Sequence, residues 1–245
     1  MKGIKVGVKI WRVEPDLKEL VERGRPDFIE TMAIAGEDYR PLKDYGLPVT
    51  IHAEHIYFGV NQADPLLQEK NARSLDFAIQ TADMLGSDVI VLHPGCLMNH
   101  GCSMQAAIDF IRGARDPRIV VENMPNYISA DGRIPNVGRN IEEMRQILSA
   151  TKAGFCLDID HAAVAAADSG LDYMKVIREF MALKPDYFHV SDTTLKSKQG
   201  DHMHLGEGGL DLLGIKSLLP KGARVALETP VDVDGRIRDI EFMRE

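Results

Sequence analysis

The sequence predicts an α/β fold, a single (β/α)8 TIM barrel, and three observations carry that reading. Apolar runs rich in Val and Ile alternate with amphipathic segments along the chain, as in a parallel sheet buried beneath outer helices. Eight such runs occur, the strand number of the barrel. Length agrees, because 245 residues with 44% hydrophobic content suit one barrel of about 250 residues. Residues 1–245 are therefore expected to form one domain.

The strands are expected at 4–11, 27–33, 48–54, 89–95, 119–125, 154–160, 187–192 and 224–230. Between them, PDLKELVERG opens a helix on Pro15, and DPLLQEKNARSLDFAIQTADMLG closes one on Gly86, the usual proline-first, glycine-last asymmetry. MQAAIDFIRGA, NIEEMRQILSA, LDYMKVIREFMAL and LDLLGIKSLL each show helical spacing with a polar face. The last segment, DGRIRDIEFMRE, allows only a short helix, so the barrel is expected to be trimmed there or closed by a partner chain. Two long polar connections, 126–139 and 193–209, are expected to line a substrate cleft, since long ordered loops are usually functional.

Composition excludes several function classes. A net charge of -8 argues against the broad electropositive surface with which most nucleic-acid binders collect their partner. No stretch approaches the roughly 18 to 20 apolar residues of a membrane span, and MKGIKVGVKIW lacks a signal-peptide core, so a cytoplasmic protein without a membrane partner is expected. Cys96, Cys102 and Cys156 make neither a disulfide framework nor a C-x-x-C zinc pattern. Cys96 and Cys102 flank the loop after His93 and are read as packing residues before thiol ligands.

Metal-ligating side chains recur at the strand ends: His52, His93, Glu122, Asp158, His189 and Glu228. Their separations of 41, 29, 36, 31 and 39 residues are each about one β-α unit of roughly 30 residues. Parallel barrel strands end at one face, so these groups are expected to meet there. His52, His93 and Glu122 form one candidate set; Glu122, Asp158, His189 and Glu228 form another with Glu122 shared. Asp158 and His161 make D-x-x-H, and the loop DHMHLGEG adds Asp201, His202 and His204 for a third metal with His161. Burying an unpaired carboxylate is expensive, and no Lys or Arg ends the strands that carry Glu122, Asp158 and Glu228, so a metal is the economical counter-charge. Asp192 is expected to orient an imidazole from outside the ligand set. No Ser-His-Asp or Cys-His arrangement is evident.

The strand ends LHPG, VVEN, LDIDH, HVSD, HxxLGEG and ALETP together resemble the xylose isomerase-like barrel superfamily, most closely its endonuclease IV branch, over about residues 50–230. The resemblance implies zinc, two or three ions with manganese an alternative, held by His52, His93, Glu122, Asp158, His161, His189, His202 and Glu228. It implies hydrolysis of DNA at abasic sites by a metal-bound hydroxide, with Glu122 and Glu228 as the catalytic carboxylates. Departures from the pattern are specific. The third-metal Asp of that branch falls on Gly200, with Asp201 displaced by one, and the residues that wedge into DNA fall on His55 and Ile56, just before Tyr57 and Phe58. The only basic residues of the long loops suited to a phosphate backbone are Arg133, Arg139, Lys196 and Lys198.

The alternative is a divalent-metal sugar isomerase or epimerase of the same superfamily, using Glu122, Asp158, His189 and Glu228 on a small sugar or sugar-derived substrate. Against it, the second Glu of such epimerases falls on Ile128 and a substrate-contacting Arg on Leu195. A metal-binding homologue without catalysis is the third reading, supported by the displaced loop Asp.

Overall fold

Eight parallel strands follow one another around a closed barrel in chain order, and the first pairs with the last. The computed structural model describes residues 3–245. The order is β1 (Lys5–Ile10), α1 (Leu17–Gly24), β2 (Phe28–Ala33), β3 (Val49–Ala53), α2 (Gln68–Leu85), β4 (Ile90–Leu92), α3 (Met104–Ala114), β5 (Ile119–Glu122), α4 (Ile141–Thr151), β6 (Gly154–Asp158), α5 (Ile159–Asp168), α6 (Tyr173–Met181), β7 (Tyr187–Val190), α7 (Leu212–Leu218), β8 (Arg224–Leu227) and α8 (Val233–Arg244).

Two apolar layers hold the barrel. Val6, Val8 and Ile10 of β1 point outward with Leu157, Val190 and Leu227 toward the helices. Phe28, Val91, Val120, Cys156, Tyr187 and Ala226 fill the interior as a separate cluster. Gly7 belongs to this interior, where a Cβ would run into the Phe28 ring. Above the plug the interior turns polar, because register aligns Lys9 with Glu30, Glu30 with Thr50, and Asp158 with His189.

Helix starts are fixed by side-chain caps. Ser103, Asn140, Asp172 and Asp232 each accept a backbone N–H from the first turn of the helix they precede. Asp158 caps α5 from the last position of β6, so strand passes into helix with no loop between.

All eight strands lie within the expected ranges, and the last five stop two or three residues before their expected ends. There the backbone leaves the ladder to form the mouth. The connection from β2 to β3 carries a short 3-10 turn, Arg40–Tyr45, in place of an α-helix. The expectation of a trimmed or partner-closed barrel is corrected: α8 has 12 residues and β1 pairs directly with β8. Buried Arg236 clamps α8 over the mouth of β1, donating to Pro230 O and Lys9 O and pairing with Glu14 at 2.8 Å. No helix among the described residues is long and apolar enough to cross a membrane.

Candidate metal centre

The strand ends bring His52, His93, Glu122, Asp158, His189 and Glu228 together. Glu122, the last residue of β5, is fully buried and lies between two donor sets. Its Oε2 is 3.3 Å from His52 Nε2 and 3.1 Å from His93 Nε2. On the other side, His189 Nδ1 lies 3.5 Å from the same oxygen, 3.1 Å from Glu228 Oε2 and 3.8 Å from Asp158 Oδ2. Both sets expected from spacing are therefore assembled, with Glu122 common to them.

Whether these residues fit cations is answered by their unsatisfied atoms. Glu122 Oε1, Asp158 Oδ2, His189 Nδ1 and Glu228 Oε2 are buried with no hydrogen bond, an arrangement that costs free energy unless a ligand completes it. Divalent ions suit the donors, which are imidazole nitrogens and carboxylate oxygens. Each imidazole is also oriented from behind. His52 Nδ1 donates to Ala53 O at 2.7 Å, leaving Nε2 toward Glu122. His189 Nε2 donates to Glu30 Oε2 at 3.1 Å, leaving Nδ1 toward the carboxylates.

The electrostatics show the strain of a cluster of acids. Burial, with Glu122 and Glu228 nearby, pushes the Asp158 carboxyl up to about 6. Burial pulls His93 down to about 4, so its ring is neutral and available as a ligand. For His161 burial acts downward too, but Asp158 and Glu122 outweigh it and raise the ring to about 10. Burial would raise Glu228 and Glu122, yet Lys9 holds the first well below the usual carboxylate range and His93 with His189 does the same for the second.

His161 and His202 border the same cavity, with ring centroids 5.5 Å apart. Asp201 does not join them. Its Oδ2 accepts from Thr193 Oγ1, Thr194 N and Thr194 Oγ1, so the loop itself holds the carboxylate that the sequence offers to a third metal. Asp160 lies beneath the loop instead, where its Oδ2 accepts the backbone N–H of Asp201 and His202. A Cβ at Gly200 would lie 3.1 Å from that oxygen, so Asp160 fills the space a carboxylate at position 200 would need. His204 is likewise diverted, bonded to Asp232 and Asp239 at 2.6 Å each.

Two further expectations change, and one residue is new to the site. Among the described residues Asp192 hydrogen-bonds no imidazole; it accepts four backbone N–H groups, from Thr193, Gly206, Gly208 and Leu210, and so shapes the histidine loop. Lys9 of β1 supplies a cation that the strand-end pattern does not reveal, with Nζ 2.7 Å from Glu228 Oε1 and 3.7 Å from Glu30 Oε1. Arg139 is occupied by Glu143 at 3.0 Å and Lys198 lies 3.7 Å from Asp168, which leaves few free cations along the long loops. Cys96 packs through its backbone on Asn61, whereas Cys156 faces inward beside Glu122 and His189.

Above the centre a cavity of about 390 Å³ opens to solvent. Its floor holds Lys9, His93, His161 and Glu228, and its walls include Trp11, Tyr57, Ile128 and Val231. Tyr57 is 69% exposed and donates its hydroxyl to Ile128 O, while Phe58 packs on Trp11.

Fold and site together define a (β/α)8 barrel with a multidentate His/carboxylate cluster at the C-terminal mouth of its strands. The sequence model of the xylose isomerase-like TIM barrels matches residues 37–245, and the chain belongs to that family. It is 28% identical to a probable endonuclease 4 of Halothermothrix orenii over 227 residues, 82% of this chain and 78% of that one. It is 30% identical to endonuclease 4 of Thermus thermophilus over 184 residues, 70% of this chain and 64% of the relative. Among solved structures, a D-tagatose 3-epimerase-like protein superposes with TM-score 0.77 at 17% identity, covering 98% of this chain and 96% of its own. The crystal structure of endonuclease IV from Thermus thermophilus superposes with TM-score 0.71 at 20% identity, covering 98% of this chain and 97% of its own. These superpositions show the shared fold.

Proposed function

We propose that this chain is a metal-dependent phosphodiester hydrolase that cleaves DNA at abasic sites. The observation that carries the reading is the second donor set: His52 and His93 meet Glu122 beside a quartet that one ion alone would need. When bound, a pair of divalent ions, zinc or manganese, supplies Lewis acidity, lowers the pKa of water toward neutrality and neutralises both oxygens of an in-line displacement. The chain's part is to place and tune. Glu122 is the carboxylate common to both sites, and Glu228 offers Oε2 to the inner one while Lys9 holds Oε1. His161 and His202 border the space where a leaving group would emerge, and the exposed rings of Trp11 and Tyr57 offer surfaces on which a base can stack. The endonuclease 4 relatives support DNA as the substrate class.

A sugar isomerase or epimerase is the second reading, favoured by the quartet taken alone. It needs an acid-base pair over the substrate, and Glu228 is the one carboxylate residue among those lining the cavity, with Ile128 in the wall.

Incubation of zinc- or manganese-loaded protein with a duplex oligonucleotide bearing one abasic site tests the proposal. Cleavage that disappears in Glu122→Ala and Glu228→Ala supports it. Absence of cleavage by fully loaded protein, with turnover of a ketose instead, would transfer the assignment to the isomerase.

A further inference from the structure

Lys9 sits on the inward face of β1, where a lysine is an unusual choice because its ammonium must leave water. The side chain is 5% exposed and still borders the cavity. An ammonium has three N–H donors. Glu228 Oε1 at 2.7 Å takes one; Glu30 Oε1 at 3.7 Å lies beyond hydrogen-bond range. Donors of a buried cation are thus left facing a space open to substrate.

Charge balance points the same way. Glu30, Glu122, Asp158 and Glu228 are the carboxylates packed around the centre, and two divalent ions match their charge. Asp160, further out, is met by two backbone N–H groups of the loop. Once ions draw on all four carboxylates, the Lys9 charge is only partly compensated, through Glu228 Oε1. A buried charge in that condition is costly, and an incoming anion removes the cost.

We propose that Lys9 is an anion-binding residue of the active site, its ammonium steered by Glu228 onto a non-bridging phosphoryl oxygen of the substrate. The proposal rests on the phosphodiesterase reading and deepens it, since it assigns to the chain itself a positive charge on the transferred group. Glu228 then has two tasks on two oxygens: Oε1 aims the ammonium, and Oε2 faces His189 and the inner ion site.

The test uses wild-type protein, Lys9→Met, which keeps the apolar stem, and Lys9→Arg, which keeps the charge. Each is loaded with zinc, its metal content measured, and titrated with inorganic phosphate by calorimetry. A hydrogen bond to a charged group sets the expected loss in Lys9→Met at about ten- to a hundredfold in phosphate affinity, with ion content unchanged and partial recovery in Lys9→Arg. Equal phosphate affinity in Lys9→Met overturns the proposal, and so does a loss that vanishes at saturating zinc, because Lys9 would then only position Glu228. If Lys9→Met does not fold, a phosphate complex of the wild type decides: phosphate bonded to Nζ supports the assignment, and phosphate bound elsewhere overturns it. Phosphate titration requires no turnover. Phosphate bound through Lys9 without cleavage of the abasic duplex would refute the nuclease reading while leaving the anion site standing.

Discussion

Glu30 and His189, 159 residues apart in sequence, meet across the barrel interior, with His189 Nε2 3.1 Å from Glu30 Oε2 and 3.0 Å from Oε1. Both are fully buried. The contact fixes the imidazole so that Nδ1 faces Glu228, Glu122 and Asp158. Partners of this kind typically contribute about ten- to a hundredfold to metal affinity. Glu30→Gln is therefore expected to weaken zinc binding by that factor while circular dichroism remains that of the wild type. Calorimetric zinc titration measures it, and unchanged affinity would refute the orienting role.

The two donor sets make separable predictions about ion content. His52 belongs to one set only, whereas Glu122 belongs to both. His52→Ala is expected to lower bound zinc by one equivalent, and Glu122→Ala to lower it by more than one. Mass-spectrometric metal analysis after dialysis distinguishes these outcomes. Equal losses in the two variants would contradict the shared carboxylate.

The contrast between Asp158 and Lys9 shows how far the sequence could be read. Asp158 closes an apolar run and opens a D-x-x-H, so both its strand-end position and its role as a ligand candidate were legible. Lys9, between Val8 and Ile10, and Glu30, inside IETMA, look like ordinary members of strands; only register and barrel closure turn them toward the centre. The helix α5 was hidden for a related reason. IDHAAVAAAD is buried from Ile159 through Ala166, so it shows no polar face by which a helical period could be recognised, and Asp158 caps it directly from the strand. In the loop after β7 no periodicity exists to say which way a side chain points. That is why Asp201 could not be separated from a ligand, nor Asp160 recognised beneath it.

His204 gives a pH dependence with a definite sign. Burial opposes its charge, but Asp239 and Asp232 hold the ring's pKa above the ordinary 6.5. A raised folded value means that this stabilisation is complete below about 6.5 and is lost as pH rises through the higher folded value. Asp232 has the opposite sign. Its carboxyl, held down by the Gly235 N–H and His204, contributes above the ordinary 3.8 and is lost as pH falls through the depressed folded value. Asp232 is largely exposed, so solvent screens its share. The bond to buried Asp239 dominates, and His204→Gln is expected to cost about 1.5–3 kcal/mol near pH 6 and less at alkaline pH. Urea denaturation at the two pH values checks this, and a pH-independent difference would show that the ring is not charged in the fold.

Asp192 carries the last prediction. Its carboxylate is buried and accepts N–H groups from Thr193, Gly206, Gly208 and Leu210, so one side chain holds the turn that follows His202 and His204. Asp192→Asn keeps the shape, yet it replaces one acceptor oxygen by a donor that must face backbone N–H groups. Each buried donor left without an acceptor costs about 1–3 kcal/mol, and the loop can recover part of that by opening to water. Stability should therefore fall less than the sum of the broken bonds, while the loop itself becomes accessible. Limited proteolysis and amide exchange over residues 203–210 are expected to accelerate in Asp192→Asn, and zinc bound by Glu122, Asp158, His189 and Glu228 is expected to persist, because none of those ligands lies on the loop. Loss of that zinc together with loop protection would mean that Asp192 supports the metal centre itself, contrary to the contacts it makes.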